Sequence, residues 1–202
     1  MSKRLMIDVM DSGSVICSIY YHCSANTHRA YVELKQLVDI IENSAEVDPV
    51  LAIIAGLSKY GGGLVAQDKD YAKWRWPNRE VLIAENRNAG LVTMTADSMS
   101  KYHQLADGFA EICLDNHTCT NLIWNGYCTW REMKACYEFH GCDWDEKWTE
   151  EYFANLPVVR WLGESVPWVH LNEAIAEVEN SKEYRTESGS ILFDLGCELE
   201  LA

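Results

Sequence analysis

The segment from Ser14 to Ser24, SVICSIYYHCS, constrains the fold more than any other part of the chain. It follows the largely apolar run Lys3 to Met10 and a turn at residues 11–13 that contains glycine. β-Branched and aromatic residues on both sides of such a turn predict a β-hairpin. Side chains alternate between the two faces of a strand, so one face carries Ile16, Ser18, Tyr20 and His22 and the other carries Cys17, Ile19, Tyr21 and Cys23. The face with Tyr21 is the predicted core face.

Two amphipathic helices are predicted after this hairpin. The first has apolar residues at helical spacing, namely Leu34, Leu37, Val38 and Ile41. The second begins at Asp48 and Pro49, a pair typical of a helix start, and its apolar positions are Val50, Ile53, Ile54 and Leu57. Three glycines at residues 61–63 are expected to end it.

The rest of the chain mixes strand and helix patterns. Residues 68–79 are predicted to form a basic, aromatic loop, and residues 81–84 and 91–95 a strand–turn–strand unit. A second hairpin is predicted from residues 109–114 and 118–124, and a helix around Leu171 and Ala174. Because regular βαβ alternation is lacking, we predict an α+β fold, a single domain of residues 1–202 in which antiparallel β-hairpins pack against several amphipathic helices. A subdomain seam is placed at residues 141–148.

The charge of the chain is unevenly distributed along the sequence. The net charge is −14, and residues 142–202 hold 14 acidic and 4 basic residues, which gives this acidic C-terminal part a net charge of −10. Such a field repels nucleic acid and anionic membranes and attracts basic protein surfaces. The expected partner is therefore the basic surface of another protein, without direct nucleic-acid or membrane contact, and the oligomeric state stays open.

The N-terminus and the cysteines bear on the cellular compartment. The first apolar run is interrupted at Asp8 and Asp11, so neither a signal peptide nor a membrane span is predicted there. The 8 cysteines are scattered through a chain large enough to form a core, which favours reduced thiols. We expect a cytoplasmic protein.

His22, Cys23, Ser24 and Ala25 form the first candidate for chemistry. Their order resembles the His, hydrophobic, Ser/Thr, hydrophobic pattern of two-histidine phosphoesterases, in which two imidazoles act as acid and base on one phosphodiester. A second copy is required, and the nearest match is His117-Thr118-Cys119, with Cys where the pattern has Ser or Thr. This hypothesis assigns the catalysis to His22, Ser24 and His117. The alternative is a histidine at a strand end that bonds to the backbone.

Cys128 is the second candidate. It lies in NGYCTW, just before a predicted helix that begins with a capping box, where the helix dipole favours a thiolate nucleophile. The segment resembles the Gly, Ser, Cys, Trp segment of papain-like proteases, apart from the extra Thr129. A small buried thiol in a turn is the alternative.

Metal and cofactor binding are not predicted. Cysteine and histidine are dense between residues 113 and 142, but no Cys-x-x-Cys pair is present, and Cys113 and Cys119 would have to lie close together to share an ion. Apolar cysteines in the core are the preferred interpretation. We expect neither a metal nor a cofactor.

Two stretches are candidates for binding a partner. One is the aromatic and basic group of Trp74, Arg75 and Trp76, which could stack on a nucleotide or an acidic peptide, or simply form a surface loop. The other is an acidic and aromatic strip, or equally a solvated helix, formed by Asp143, Trp144, Asp145, Glu146, Trp148, Glu150 and Glu151.

A wider resemblance covers about residues 15–65. The sequences CSIYYHCSANTHRAYVELKQLVDII and LAIIAGLSKYGGGL resemble small uncharacterised proteins of phages and prophages of Gram-positive bacteria, which have a Tyr-His-x-Ser-Ala strand end, a helix pair and a glycine run. This resemblance implies a phage or prophage setting. The charge pattern favours a non-enzymatic binding protein that antagonises or modulates a host protein, such as a defence protein, by occupying a basic surface, and each enzyme hypothesis lacks a residue type at a required position. The alternative is a small hydrolase that acts through His22, Ser24 and His117 or through Cys128.

Overall fold

The computed structural model describes residues 4–25, 27–122, 149 and 164–180. Within these ranges the chain forms seven strands and five α-helices. The strands are β1 (Leu5–Asp11), β2 (Ser14–Tyr21), β3 (Gly63–Leu64), β4 (Leu91–Thr93), β5 (Gly108–Cys113), β6 (Thr118–Asn121) and β7 (Ser165–Pro167). The helices are α1 (Thr27–Asn43), α2 (Pro49–Ser58), α3 (Lys69–Arg75), α4 (Ala96–His103) and α5 (Leu171–Asn180). The predicted α+β fold is confirmed.

All seven strands belong to one mixed sheet in the order β3-β4-β2-β1-β5-β6-β7. The two predicted hairpins are present as β1–β2 and β5–β6, both antiparallel. They are joined by a parallel pairing of β1 with β5, in which Leu5 lies opposite Gly108. The two hairpins therefore form the centre of the sheet, with β1 between β2 and β5.

The first face of the sheet carries the main core. Leu5, Ile7 and Val9 of β1 are fully buried there beside Cys17, Ile19 and Tyr21 of β2, as the alternation predicts. Side chains of α1, α2 and α5 cover this face. Each large apolar side chain buried in this way contributes roughly 1.5–3 kcal/mol to folding.

Ile16 departs from the predicted alternation. It packs against the main core instead of lying on the face of Ser18 and Tyr20. The reason is a shift of the β1–β2 register between Val9 and Met10, since such a bulge reverses the side-chain alternation beyond it.

The second face of the sheet carries a smaller core. Met6, Tyr20, Val65 and Leu91 are buried in it. Tyr102 from α4 and Ala106 from the segment that follows pack against this cluster. One side of the second face is therefore covered by α4.

The start of α2 follows the sequence prediction and explains α3. Asp48 caps α2 by accepting hydrogen bonds from the backbone N–H groups of Val50 (2.9 Å) and Leu51 (3.3 Å). Its other oxygen accepts from Trp76 Nε1 at 3.0 Å and from Arg75 Nη2 at 3.2 Å. Because these contacts hold the end of α3 against α2, the prediction of a loop over residues 68–79 is wrong for residues 69–75.

The strand–turn–strand prediction for residues 81–84 and 91–95 is also wrong in its pairing. β4 pairs with β2 and β3, whereas Ile83 forms only an isolated bridge with Leu64 of β3. The close approach of Gly63 to the carbonyl of Leu82 allows this arrangement, because a Cβ at Gly63 would lie 2.7 Å from that oxygen.

Asp68 fixes the start of α4, a helix that the sequence did not predict. Its carboxylate is fully buried and accepts hydrogen bonds from the N–H of Met94 (2.6 Å), the hydroxyl of Thr95 (2.7 Å) and the hydroxyl of Ser98 (2.6 Å). Thr95 in turn caps the helix by accepting from the N–H of Ser98. Contacts between distant segments therefore define where α4 begins.

None of the helices in the described ranges combines the length and the apolar character that are needed to cross a bilayer.

We predict that Asp68→Ala lowers the free energy of unfolding by about 2–4 kcal/mol, because it leaves several buried donors without an acceptor. Urea unfolding followed by circular dichroism measures this change. The matched control is Asp70→Ala, an exposed carboxylate on the neighbouring helix, for which we expect a change within about 0.5 kcal/mol. Equal effects of the two substitutions would contradict the role assigned to Asp68.

Candidate functional site

A row of polar side chains crosses the second face of the sheet. The strand register places six residues side by side, one from each of six strands. They are Thr93, Ser18, Asp8, Glu111, Thr120 and Ser165. Thr93 and Ser18 are buried, the middle three are half-buried and Ser165 is exposed. The row therefore runs from the interior to solvent.

His103 meets this row at Asp8. The Nε2 atom of His103, in the last turn of α4, lies 2.9 Å from Oδ1 of Asp8. The same oxygen accepts a hydrogen bond of 2.5 Å from the hydroxyl of Ser18. The ring of Phe109 packs beside the imidazole with a centroid distance of 5.5 Å. Acid, imidazole and aromatic side chains thus converge at one place on the described surface.

His22 lies at one end of the second face. Its Nδ1 atom is 3.3 Å from the hydroxyl of Tyr20, and the Tyr20 ring packs on Tyr102 with a centroid distance of 5.0 Å. Burial raises the pKa of Tyr20. Nearby, Arg4 and Asp107 form a two-pronged ion pair with distances of 2.9 and 3.0 Å. His22 therefore belongs to an aromatic and charged cluster at the sheet end.

Ser24 points away from this cluster. It is buried, and its hydroxyl donates a hydrogen bond of 3.0 Å to Oε1 of Glu33 on α1. Burial raises the pKa of Glu33, while the hydrogen bond from Ser24 and the charge of Arg29 partly oppose this rise. Burial, and then the charge of Glu33, raise the pKa of Tyr21 well above its usual value. Ser24 is therefore part of a buried polar group beside the main core.

His117 occupies the turn between β5 and β6 with a φ of 51°, a left-handed conformation that is uncommon outside glycine. Its ring contacts Trp168 edge to face at 4.6 Å, and its carbonyl accepts a hydrogen bond from the Trp168 N–H. These contacts give His117 a packing role between the turn and the segment before α5.

The structure does not bring His22 and His117 together. Tyr21 is level with Leu5 and Gly108 at one end of the sheet, whereas His117 follows Cys113 at the other end. The five residue steps along β5 between these levels correspond to about 16 Å. Because two imidazoles that share one phosphodiester must lie on either side of it, this geometry gives no support to the two-histidine hypothesis.

Some predicted residues lie outside the described ranges. These are Cys128 and the acidic and aromatic strip Asp143, Trp144, Asp145, Glu146, Trp148, Glu150 and Glu151. The predicted helix that starts after Cys128, and the seam at residues 141–148, lie there as well.

The cysteines of the β5–β6 hairpin cannot act together as metal ligands. Cys113 pairs with Thr118 and Ile112 with Cys119, so the two cysteines occupy adjacent registers and face opposite sides of the sheet. Burial raises the pKa of Cys119 to about 12, which disfavours the thiolate that a metal ion requires. In the described ranges, no group of three or more His, Cys, Asp or Glu side chains is arranged to hold a metal ion.

The three binding candidates on and after α3 have different surroundings. Trp76 is buried in the main core, and Arg75 stacks on its ring at 4.8 Å while bonding to Asp48. Trp74, in contrast, is 76% exposed and packs only partly on Tyr71, with ring centroids 5.7 Å apart. Of the three, Trp74 alone presents an apolar surface to solvent.

Sequence reasoning missed Asp8 and His103 as site residues. One signal was present, since Asp8 interrupts the otherwise apolar strand LMIDVM. A carboxylate that is largely buried in such a strand needs a polar partner. The partner His103 lies 95 residues away and carries no local signal.

Comparison with known proteins adds no assignment, because no protein-family model, curated protein or solved structure matches this chain.

We predict that the stability conferred by Glu33 falls as pH rises. Burial raises the pKa of Glu33 in the folded protein above the usual value of 4.5, so the folded state holds this proton more tightly than the unfolded state. The contribution is complete below about pH 4.5 and decreases as pH rises through the folded pKa. Relative to Glu33→Gln, which cannot ionise, the native chain should therefore lose stability as pH rises from about 4.5 into the neutral range.

Urea unfolding of both proteins across this pH range measures the difference. A native chain that gains stability relative to Glu33→Gln as pH rises would show that Ser24 and Arg29 stabilise the carboxylate more than burial destabilises it. The substitution keeps an oxygen that can accept the hydrogen bond from Ser24.

Proposed function

We propose that this chain is a binding protein that occupies a basic surface on a partner protein. The observation that carries the proposal is the charge of residues 142–202, where 14 acidic residues oppose 4 basic ones. A continuous segment of one sign steers an oppositely charged partner and disfavours like-charged ligands such as nucleic acid. The described part of this segment agrees with it, because α5 buries Leu171 and Ala174 and leaves Glu173 exposed.

The proposed setting is a phage or prophage protein that acts in the cytoplasm of a host cell. The resemblance of residues 15–65 to small phage and prophage proteins supports this setting. In that setting the partner is a host protein, such as a defence protein, whose activity is blocked or modulated when its basic surface is covered.

Trp74 is the proposed apolar anchor of the interface. Tryptophan and tyrosine supply much of the binding energy in protein interfaces. The ring of Trp74 is largely exposed, so packing in the core does not account for it. Trp74 and Tyr71 lie on one side of α3, three residues apart. The hydrogen bond from Trp76 Nε1 to Asp48 holds this helix in place, so the ring is presented on a fixed element.

We predict that neutralising the acidic strip weakens partner binding by about tenfold or more, because it removes five of the negative charges that attract the partner. The variant carries Asp143→Asn, Asp145→Asn, Glu146→Gln, Glu150→Gln and Glu151→Gln. A partner is captured from bacterial lysate, purified, and its Kd is measured by calorimetry at a fixed salt concentration.

The matched control removes five exposed acids elsewhere, so that both variants have the same net charge. These are Glu42→Gln, Glu80→Gln, Glu85→Gln, Asp97→Asn and Asp115→Asn. We expect less than about a threefold change in Kd for this control, since exposed charges are screened beyond about 8 Å at physiological salt. Equal weakening by the two variants would exclude the strip as the contact surface.

A separate prediction concerns Trp74. Trp74→Ala should weaken binding to the same purified partner by about tenfold or more, as expected for a central aromatic contact. Tyr60→Ala is the control, since Tyr60 is 64% exposed but lies in the turn after α2 and not on α3. If the two substitutions changed the Kd equally, Trp74 would not be the anchor.

A further inference from the structure

Ser18, Asp8 and His103 form a chain of hydrogen bonds that leads from the interior to the surface. Ser18 is fully buried, the side chain of Asp8 is 16% exposed and that of His103 is 36% exposed. Each inner group fixes the next one outward, because Ser18 and His103 both bond to Oδ1 of Asp8. In enzymes, a base oriented by an acid that is itself held by a second hydrogen bond is a recurrent arrangement.

The bond to Asp8 determines which nitrogen of His103 can act as a base. An ionised carboxylate only accepts hydrogen bonds, so Nε2 must carry the proton. In a neutral imidazole Nδ1 is then the basic nitrogen. Among the described residues, no hydrogen bond to His103 Nδ1 is present. His103 is thus held as the tautomer whose basic nitrogen makes no hydrogen bond within the described part of the chain.

The surroundings of His103 favour an uncharged substrate. Phe109 lies against the imidazole and is 37% exposed, which provides an apolar surface for a ligand. Asp8 and Glu111 are neighbours in the polar row and repel an anionic group such as a phosphodiester. A neutral ester meets neither repulsion nor a large desolvation cost.

The position of His103 is also fixed by the fold. It lies in the last turn of α4, whose first turn is held by the buried carboxylate of Asp68. Tyr102, the preceding residue, packs on Tyr20 of β2. A base on an element held at both ends keeps its geometry better than one on a free loop.

We propose that, in addition to partner binding, the second face of the sheet carries a hydrolytic site that acts on small neutral carboxylic esters. His103 is the general base of this site. Nδ1 of His103 takes a proton from water as the water oxygen forms a bond to the carbonyl carbon. The bond between that carbon and the alcohol oxygen then breaks, the alcohol oxygen receives the proton and the acid is released. Asp8 and Ser18 are positioning residues, and Phe109 contacts the substrate.

The experiment uses the full chain and 4-nitrophenyl acetate, with release of 4-nitrophenol as the readout. We expect His103→Gln to lower kcat/KM by about a hundredfold or more, the usual contribution of a general base. His28→Gln is the matched control, because surface imidazoles hydrolyse this ester slowly in any protein, and it should change kcat/KM by less than about twofold. Equal rates for the two variants would overturn the proposal.

Two further variants test the assigned roles. Phe109→Ala should raise KM and leave kcat nearly unchanged, since it removes a contact made equally by the bound ester and the transition state. Asp8→Asn should lower kcat, and nitrogen NMR of the His103 ring should show that Nε2 no longer carries the proton in a single tautomer. An unchanged kcat in Asp8→Asn with an altered tautomer would overturn the role of Nδ1 as the base.

Unfolding by urea is measured for each variant, so that loss of activity is compared only among folded proteins. Ser18→Ala offers a milder test, because it removes the inner hydrogen bond and leaves the pair of Asp8 and His103 in place. We expect a smaller fall in kcat than for Asp8→Asn. A larger fall in kcat for a folded Ser18→Ala protein would contradict the assigned roles, in which Asp8 orients His103 directly and Ser18 acts only through Asp8.

Discussion

The structure depends on the two faces of β1. Because β1 lies between β2 and β5 in the described sheet, its side chains alternate between the main core and the second face, which α4 covers in part. Leu5, Ile7 and Val9 occupy the main core, whereas Met6 and Asp8 point to the second face. A one-residue slip would move the aliphatic set out of the core and bring Asp8 into it, so the burial of one face specifies the register of the whole sheet. The polar row, and with it the contact between Asp8 and His103, follows from that register.

Asp68, Glu33 and Asp8 are carboxylates that are largely removed from water in the described part of the chain, and each is accommodated differently. Asp68 is fully buried and is surrounded by hydrogen-bond donors from the segment that starts α4. Glu33 has one hydroxyl donor and a more distant arginine, and burial raises its pKa. Asp8 has a hydroxyl on the inner side and an imidazole on the outer side. The number of hydrogen-bond donors around each carboxylate thus indicates its role. Asp68, which is surrounded by donors, is structural. Asp8 shares one oxygen between Ser18 and the partly exposed imidazole of His103, and it can therefore support chemistry.

Local signals in the sequence predicted the elements whose causes are local. The β1–β2 hairpin follows from its turn and its apolar arms, and α2 from Asp48 and Pro49, whose capping contacts are present in the structure. The elements that were missed have distant causes. α3 is short and is held by Trp76 bonding to Asp48, and α4 begins where Asp68 meets Thr95 and Ser98. A hydrophobic period cannot reveal such contacts.

The residues of the candidate site were likewise predicted only where the cause of their placement is local. Strand alternation correctly separated Tyr21 from Tyr20, but it could not show that Ser24 turns to Glu33 or that His117 lies at the opposite end of the sheet from His22. Those outcomes depend on α1 and on the parallel pairing of β1 with β5, which joins segments about one hundred residues apart. Sequence patterns therefore identified the residue types, and the tertiary contacts decided which of them meet.

Both proposed activities depend on negative charge, but the charge acts over different distances in the two cases. Partner binding depends on the summed charge of residues 142–202, which acts over roughly a Debye length and is weakened by salt. Chemistry at His103 depends on a hydrogen bond of 2.9 Å to a partly buried carboxylate, which salt screens much less, and on a substrate without charge. Negative potential disfavours anionic ligands at both places. A partner that covered the second face would have to place a basic group near Glu111 and Asp8, and it would then block His103. Binding and hydrolysis would exclude each other in that case. If the partner docks on α3 instead, the two activities proceed independently.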